Sequence, residues 1–257
     1  MEEKIKAWLL NSGFPLEMRI SNALLKRNFD VAQSVYYQDP ESGKYRETDV
    51  IATKFKIING TWIHLTFVIE CKRSKDKPWV ILKNDKLMNH LGDMLPLYST
   101  TNTLSFLNSL NQQQYKSDLL FKKNRSIGYS IQTAFNNGSD RSYEAIQSVT
   151  KACEYFSQNI NNRKNISAFY FPIILIEGII FESQLLDDEI ELKQVNDSEV
   201  LVTRSFHKYG NSHIKIFDDS NLNIVAEKLH NLTYNFFEKY DELIKANINP
   251  EIDPPYY

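Results

Sequence analysis

Apolar residues recur at helical spacing twice at the start of the chain. Ile5, Trp8 and Leu9 mark a first helix over residues 2–11, which Asn11-Ser12-Gly13 ends. Leu16, Ile20, Ala23 and Leu24 form the stripe of a second helix, running from Pro15 in its first turn to about Lys26. From Phe29 the pattern changes to strands. FDVAQSVYY is rich in β-branched and aromatic residues, QDPESGK has the composition of a turn, and YRETDVIATKFKI reads as the return strand. Asn59-Gly60, the favoured pair for a two-residue hairpin turn, leads into a third strand, TWIHLTFVIECKR. Three consecutive strands are thus predicted within residues 31–73.

A period of two divides the third strand into two faces. Ile63, Leu65, Phe67, Ile69 and Cys71 share one face and belong to the core, while His64, Thr66, Val68, Glu70 and Lys72 share the other. Glu70 and Lys72 should sit near the strand's end. Residues 84–142 are rich in Asn, Ser and Gln with weak periodicity and predict loops and short helices over one side of the core. Ile146, Val149, Cys153 and Phe156 then mark an amphipathic helix. AFYFPIILIEGIIFESQL reads as two strands with a turn around Glu177-Gly178, and ELKQV, EVLVTRSF and HIKIF as further strands. Val225, Leu229, Leu232, Phe236 and Tyr240 lie on a terminal helix from about Asn221 to Lys245, followed by a proline-rich, extended tail.

The simplest organisation of the 257 residues is one α/β domain with elaborations, because no repeat or low-complexity linker forces a boundary. Thirty basic against thirty-two acidic residues, net charge -2, exclude a protein that holds nucleic acid by an overall positive field. Any phosphate-binding surface is then local. Cys71 and Cys153 lie far apart with no CxxC spacing, which suits free thiols in a reducing cytoplasm. Neither a signal peptide nor a stretch of membrane-spanning length is expected, so the chain reads as soluble and cytoplasmic.

The candidate chemistry lies on the second and third strands. If they pair antiparallel about Asn59-Gly60, Asp49 and Glu70 are symmetrically placed and their carboxylates meet across the sheet. A slip of one residue would send them to opposite faces. Two such carboxylates suit a hard divalent cation that keeps several waters, Mg2+ being the natural choice and Mn2+ an alternative. Lys72 adds a compact positive charge, suited to orienting a water and stabilising a phosphoryl transition state. His207, His213 and His230 have no metal-ligand spacing, and HExxH, Walker A, GxGxxG and GxSxG motifs are absent.

The hairpin with Asp49, the apolar strand and the closing Glu70-Cys71-Lys72 resemble the PD-(D/E)XK nuclease superfamily, which includes restriction endonucleases and Holliday junction resolvases. A Glu-x-Lys tripeptide alone carries little weight; the strand context does. Thr48 stands where the superfamily usually has proline. The resemblance covers residues 14 to about 80 and implies a restriction endonuclease-like core, a mixed β-sheet flanked by helices, here with additional C-terminal strands and helix. In those terms the chain is a single domain with its core in residues 14–80 and 143–185, and elaborations in 84–142 and 186–245. The implied activity is Mg2+-dependent hydrolysis of phosphodiester bonds in DNA, RNA not being excluded. Asp49 and Glu70 would bind the metal and Lys72 would position water. Glu17, on the preceding helix, matches the glutamate that many members aim at the site, though it equally suits a first-turn residue complementing the helix dipole. Restriction or phage defence, as a homodimer or with a partner protein, is the implied setting.

Arg73, Lys75, Lys77 and Trp79 follow the candidate residues directly. Interleaved cations and an aromatic ring are what backbone phosphates and an unpaired base require, whereas the alternative is a solvated basic loop with Trp79 in the core. Lys122, Lys123 and Arg125 form a second basic cluster. Two other functions remain open: a catalytically inactive nuclease-fold subunit that binds nucleic acid or a partner, and an unrelated α/β interaction protein.

Overall fold

Asn59 and Gly60 take φ values of 51° and 77°, the left-handed conformation at both central positions that a type I′ turn requires. That turn joins strands β2 (Tyr45–Ile58) and β3 (Thr61–Lys83) and sets their antiparallel register, from Ile58 opposite Thr61 to Val50 opposite Ile69. The computed structural model describes residues 1–84, 98–110, 120, 127–136, 138, 140–160, 165–203 and 211–248.

Ahead of the hairpin lie helices α1 (Glu2–Leu10) and α2 (Phe14–Leu25) and strand β1 (Asp30–Gln38), which pairs antiparallel with β2. After it come β4 (Tyr98–Ser99), α3 (Leu104–Ser109), β5 (Gly128–Thr133), α4 (Arg141–Asn159), β6 (Ile166–Leu186), β7 (Glu189–Val195), β8 (Asp197–Thr203), β9 (Asn211–Asp218) and α5 (Leu222–Asn247). One mixed sheet holds all nine strands of the described residues in the order β1-β2-β3-β5-β8-β9-β6-β4, with β7 added to β6 and β3 paired directly with β6 in parallel.

Both faces of the sheet are covered, which makes the molecule three-layered. On one face Ile63, Leu65, Phe67, Ile69 and Cys71 of β3 pack with Leu16, Ile20, Ala23 and Leu24 of α2, and with Leu229, Phe236 and Tyr240 of α5. On the other, Val68, Trp79 and Ile81 of β3 pack with Ala145, Ile146, Val149 and Cys153 of α4. The division predicted from the period of two therefore holds. Asp140 caps α4 by accepting hydrogen bonds from the amides of Ser142 and Tyr143, which fixes where that helix begins.

Three expectations need correction. The third strand does not end near Lys72. It bulges after Ser74, with Ser74 Oγ donating to Lys77 O at 2.7 Å, and resumes from Trp79 to Lys83. Pro78, which lacks an amide donor, is tolerated at such a bulge. Glu177-Gly178 is no turn, because β6 runs straight through it. A Cβ on Gly178 would stand 2.6 Å from Ser74 O, so the glycine admits the bulged backbone of β3. Finally, the weakly patterned region contributes β5, which extends the sheet beside the end of β3. Lys122, Lys123 and Arg125, and the tail from residue 249, lie outside the described residues.

Candidate active site

Extending the register by one residue sets Asp49 opposite Glu70, but the β2–β3 ladder stops at Val50 and Ile69. Ser34, facing Asp49 on the other side, has φ of 54°, and the β1–β2 ladder skips this pair as well. With its backbone free of both ladders, Asp49 turns its carboxylate to β3, where Oδ2 accepts a hydrogen bond from the Cys71 amide at 2.6 Å. The carboxylate is thereby anchored between Glu70 and Lys72 in sequence.

Glu70 is only 4% exposed. Lys72 Nζ donates to its Oε1 at 2.5 Å, while Oε2 is buried with no hydrogen-bond partner. Burial, then the charge of Asp49, push the Glu70 carboxyl up to about 7; Lys72 pulls in the opposite direction and Glu17 adds to the rise. Asp49 is also raised by burial, against the Cys71 amide and Lys72. Glu17, in the first turn of α2 and beside buried Leu16, is half-buried and feels the charges of the same groups. Its carboxyl is pushed up to about 7 by burial and by Asp49 and Glu47, with Lys72 opposing. It is therefore coupled to the site and not simply a solvated helix-start residue.

Lys72 gathers these charges. Burial alone would lower its pKa, but the charge and hydrogen bond of Glu70, then Asp49 and Glu144, outweigh that and leave it raised. The ammonium form persists at neutral pH. Cys71 is buried, and its thiol is pushed well up by burial and the surrounding carboxylates, so it is not a nucleophile.

Three neighbours escape the sequence reading. Glu47 lies two residues before Asp49, so the period of two points to it. Tyr37, buried on β1, donates to Ser148 O at 3.2 Å and is raised by burial and by the charge of Glu70. Glu144 reaches Lys72's field from the first turn of α4. No local pattern marks the last two, because only the packing of β1 and α4 on β3 brings them there.

The residues expected at the substrate separate. Trp79 is fully buried among the side chains packed on α4 and offers no face to a base, so it leaves the nucleic-acid-binding set. Arg73 Nε and Lys75 Nζ are paired with Glu177, at 3.2 and 3.0 Å, and Arg73 also donates to Asn11 O. Lys77 has no ion pair among the described residues. With Asn11, Arg73, Ser74, Lys75, Asp76 and Arg141 it lines a cleft of about 470 Å³ directly beyond Lys72. His64, on the same face, stays apart: it contacts the rings of Phe55 and Trp62, roughly 20 Å along the strand from Glu70.

Among the described residues no three His, Cys, Asp or Glu side chains form a ready metal cage, and no helix is long and apolar enough to cross a membrane. The carboxylates of Asp49 and Glu70 do provide the kind of donor set an oxygen-preferring cation uses together with water. Compared with known proteins, the chain matches no family model, no curated protein and no solved structure.

Proposed function

We propose that the chain is a metal-dependent nuclease of the PD-(D/E)XK type that hydrolyses phosphodiester bonds in DNA. The observation that carries this reading is the Asp49 carboxylate bound to the Cys71 amide between the paired Glu70 and Lys72, with Glu70 Oε2 buried and unpartnered. Buried like charges with an unsatisfied oxygen cost stability, and natural proteins retain such arrangements at functional sites. The element order supports the same reading: α2 and the antiparallel strands β1, β2 and β3 fall in the stretch that carries the resemblance, and α4 and parallel β6 are the later helix and strand that would continue it.

Asp49 and Glu70 would hold Mg2+ or Mn2+, with Glu70 Oε2 as the open ligand atom. The ion, when bound, supplies a Lewis acid for the phosphoryl oxygen and lowers the pKa of an attacking water. The chain's own residues do the rest. Lys72, kept charged, orients the water and counters charge growing on the phosphoryl oxygens. Glu17, with its carboxyl near 7, is matched to accept a proton at neutral pH. The anchored Asp49 carboxylate and the rigid central strand limit how far these groups wander.

Purified protein incubated with single-stranded, duplex and branched DNA, with and without Mg2+, tests the proposal. Metal-dependent cleavage is expected in wild type and its loss in Asp49→Asn, Glu70→Gln and Lys72→Ala. No cleavage of any substrate, or full activity in Lys72→Ala, rejects it. A role in restriction or phage defence follows only by resemblance.

A further inference from the structure

Two exposed aromatic residues lie three positions either side of Asn11, a residue of the cleft beyond Lys72. Helix α1 buries none of its residues; Trp8 is 62% exposed, and Phe14, at the start of α2, is 46% exposed. Their rings touch, with centroids 6.4 Å apart and planes tilted by 54°. Asn11, midway between them in sequence, forms part of the cleft wall, and its carbonyl is held by Arg73. The Asn11 amide donates to Trp8 O at 3.1 Å, which sets Trp8 one helical turn from the cleft wall.

The cleft's cations are not equivalent. Arg73 and Lys75 are committed to Glu177. Lys77 and Arg141 have no carboxylate partner among the described residues, and Arg141 is oriented by donating to Arg73 O at 2.7 Å. Arg141 lies one helical turn before Glu144, the α4 residue whose charge reaches Lys72, so it stands on the side of the helix that faces the candidate site. At the start of α4 the Ser142 and Tyr143 amides are taken by the Asp140 side chain and the Glu144 amide by its carbonyl, and the Arg141 guanidinium is the cation that this terminus presents. Among the described residues, Asp76 is the one carboxylate in the cleft wall.

We infer that this surface binds a single-stranded segment of nucleic acid, with Lys77 and Arg141 holding successive phosphates and Trp8 stacking an unpaired base. The inference rests on the nuclease reading for what happens to the strand, but not for its binding. Charge complementarity selects a polyanion. Exposed rings beside the cations select one whose bases are free to stack, because in a duplex both faces of each base are already covered. The strandedness of the substrate, which the catalytic residues leave open, is set by this neighbouring surface.

Fluorescence anisotropy with a labelled mixed-sequence oligonucleotide, single-stranded or annealed to its complement, tests binding in EDTA, where cleavage does not interfere. Wild type should bind the single strand at least about ten-fold more tightly than the duplex, and Trp8→Ala should lose about ten-fold on the single strand alone. Trp8→Phe should retain most of it. In Lys77→Ala/Arg141→Ala, the dependence of log affinity on log salt should become shallower by about 1.4 for the single strand. All these positions are surface-exposed or half-buried, and circular dichroism checks that the fold is intact. Equal affinity for duplex and single strand, or Trp8→Ala binding like wild type, overturns the inference. Those results leave the nuclease reading intact if Mg2+-dependent cleavage persists. Conversely, single-strand binding with the expected mutant pattern but no cleavage upholds the inference and rejects the nuclease.

Discussion

Lys72 Nζ lies 2.5 Å from Glu70 Oε1, on the same face of β3 and one pleat away. The charge of Lys72, and then this hydrogen bond, are the main compensation for a buried carboxylate that also feels Asp49 and Glu17. Removing both in Lys72→Ala should push the Glu70 carboxyl further up and remove the charge aimed at the substrate. Cleavage should fall by about 10²–10³, the usual effect of deleting one preorganised stabilising group. The acid limb of the pH–kcat/KM profile should also move to higher pH. A fall in rate with an unmoved acid limb would separate Lys72 from Glu70.

Mg2+ binding should be pH-dependent in a defined sense. A cation needs both Asp49 and Glu70 ionised, and Glu70 in the free protein titrates at about 7. Affinity should therefore rise as pH climbs through that value, with protons released on binding. Calorimetry in buffers of different ionisation enthalpy measures that release directly. Glu70→Gln should abolish both heat and proton release, whereas an interaction protein with ordinary surface carboxylates predicts no difference between variant and wild type.

The same titration bears on stability. Glu70 moves from an ordinary 4.5 to about 7 on folding, so between those values the folded chain holds a proton that the unfolded chain has lost. The metal-free protein should lose stability as pH rises through this window, and Glu70's charge should then cost up to roughly 3 kcal/mol. Denaturant unfolding at pH 5 and pH 8 in EDTA should show Glu70→Gln losing less stability than wild type between the two. Equal losses would mean that Glu70 is not strained in the folded state.

What could be read from the sequence was local. The Asn59-Gly60 turn and the alternation along β3 encode register and face, and together they bring Asp49 to Glu70. The outer limits of the site were not local. Trp79 sits in a stretch of cations that suggests a loop, yet β3 continues beyond its bulge and buries the ring between β5, β6 and α4. Arg141 and Glu144 belong to a helix whose own pattern marks only its buried stripe. Their position beside Lys72 depends on a contact across about 70 residues of chain.

Gly178 is the clearest instance, because Glu-Gly between apolar runs reads as a turn while the backbone there is extended strand. Its absent side chain makes room for Ser74 O. Gly178→Ala should cost about 1–3 kcal/mol by forcing β3 and β6 apart at the bulge. It should also weaken catalysis, since Lys72 stands two residues from Ser74. Urea unfolding measures the first effect and cleavage assays the second. A neutral or stabilising alanine would show that the strands relax freely at this point.

Glu177, one residue earlier, holds Arg73 and Lys75 and also lies 3.5 Å from Arg19 of α2. A single half-buried carboxylate is thus shared by two cations next to a cleft in which Lys77 and Arg141 have no carboxylate partner among the described residues. Replacing it by Gln keeps the shape and removes the charge, which should release Arg73 and Lys75 toward a bound strand. Single-strand affinity at low salt should increase, and the log affinity–log salt slope should steepen by up to about 1.4. The same change should slow dissociation of the cleaved strand, so multiple-turnover rates fall while single-turnover rates hold. An unchanged slope in Glu177→Gln, with the fold intact by circular dichroism, would sink the idea that this carboxylate limits how tightly the cleft holds phosphate.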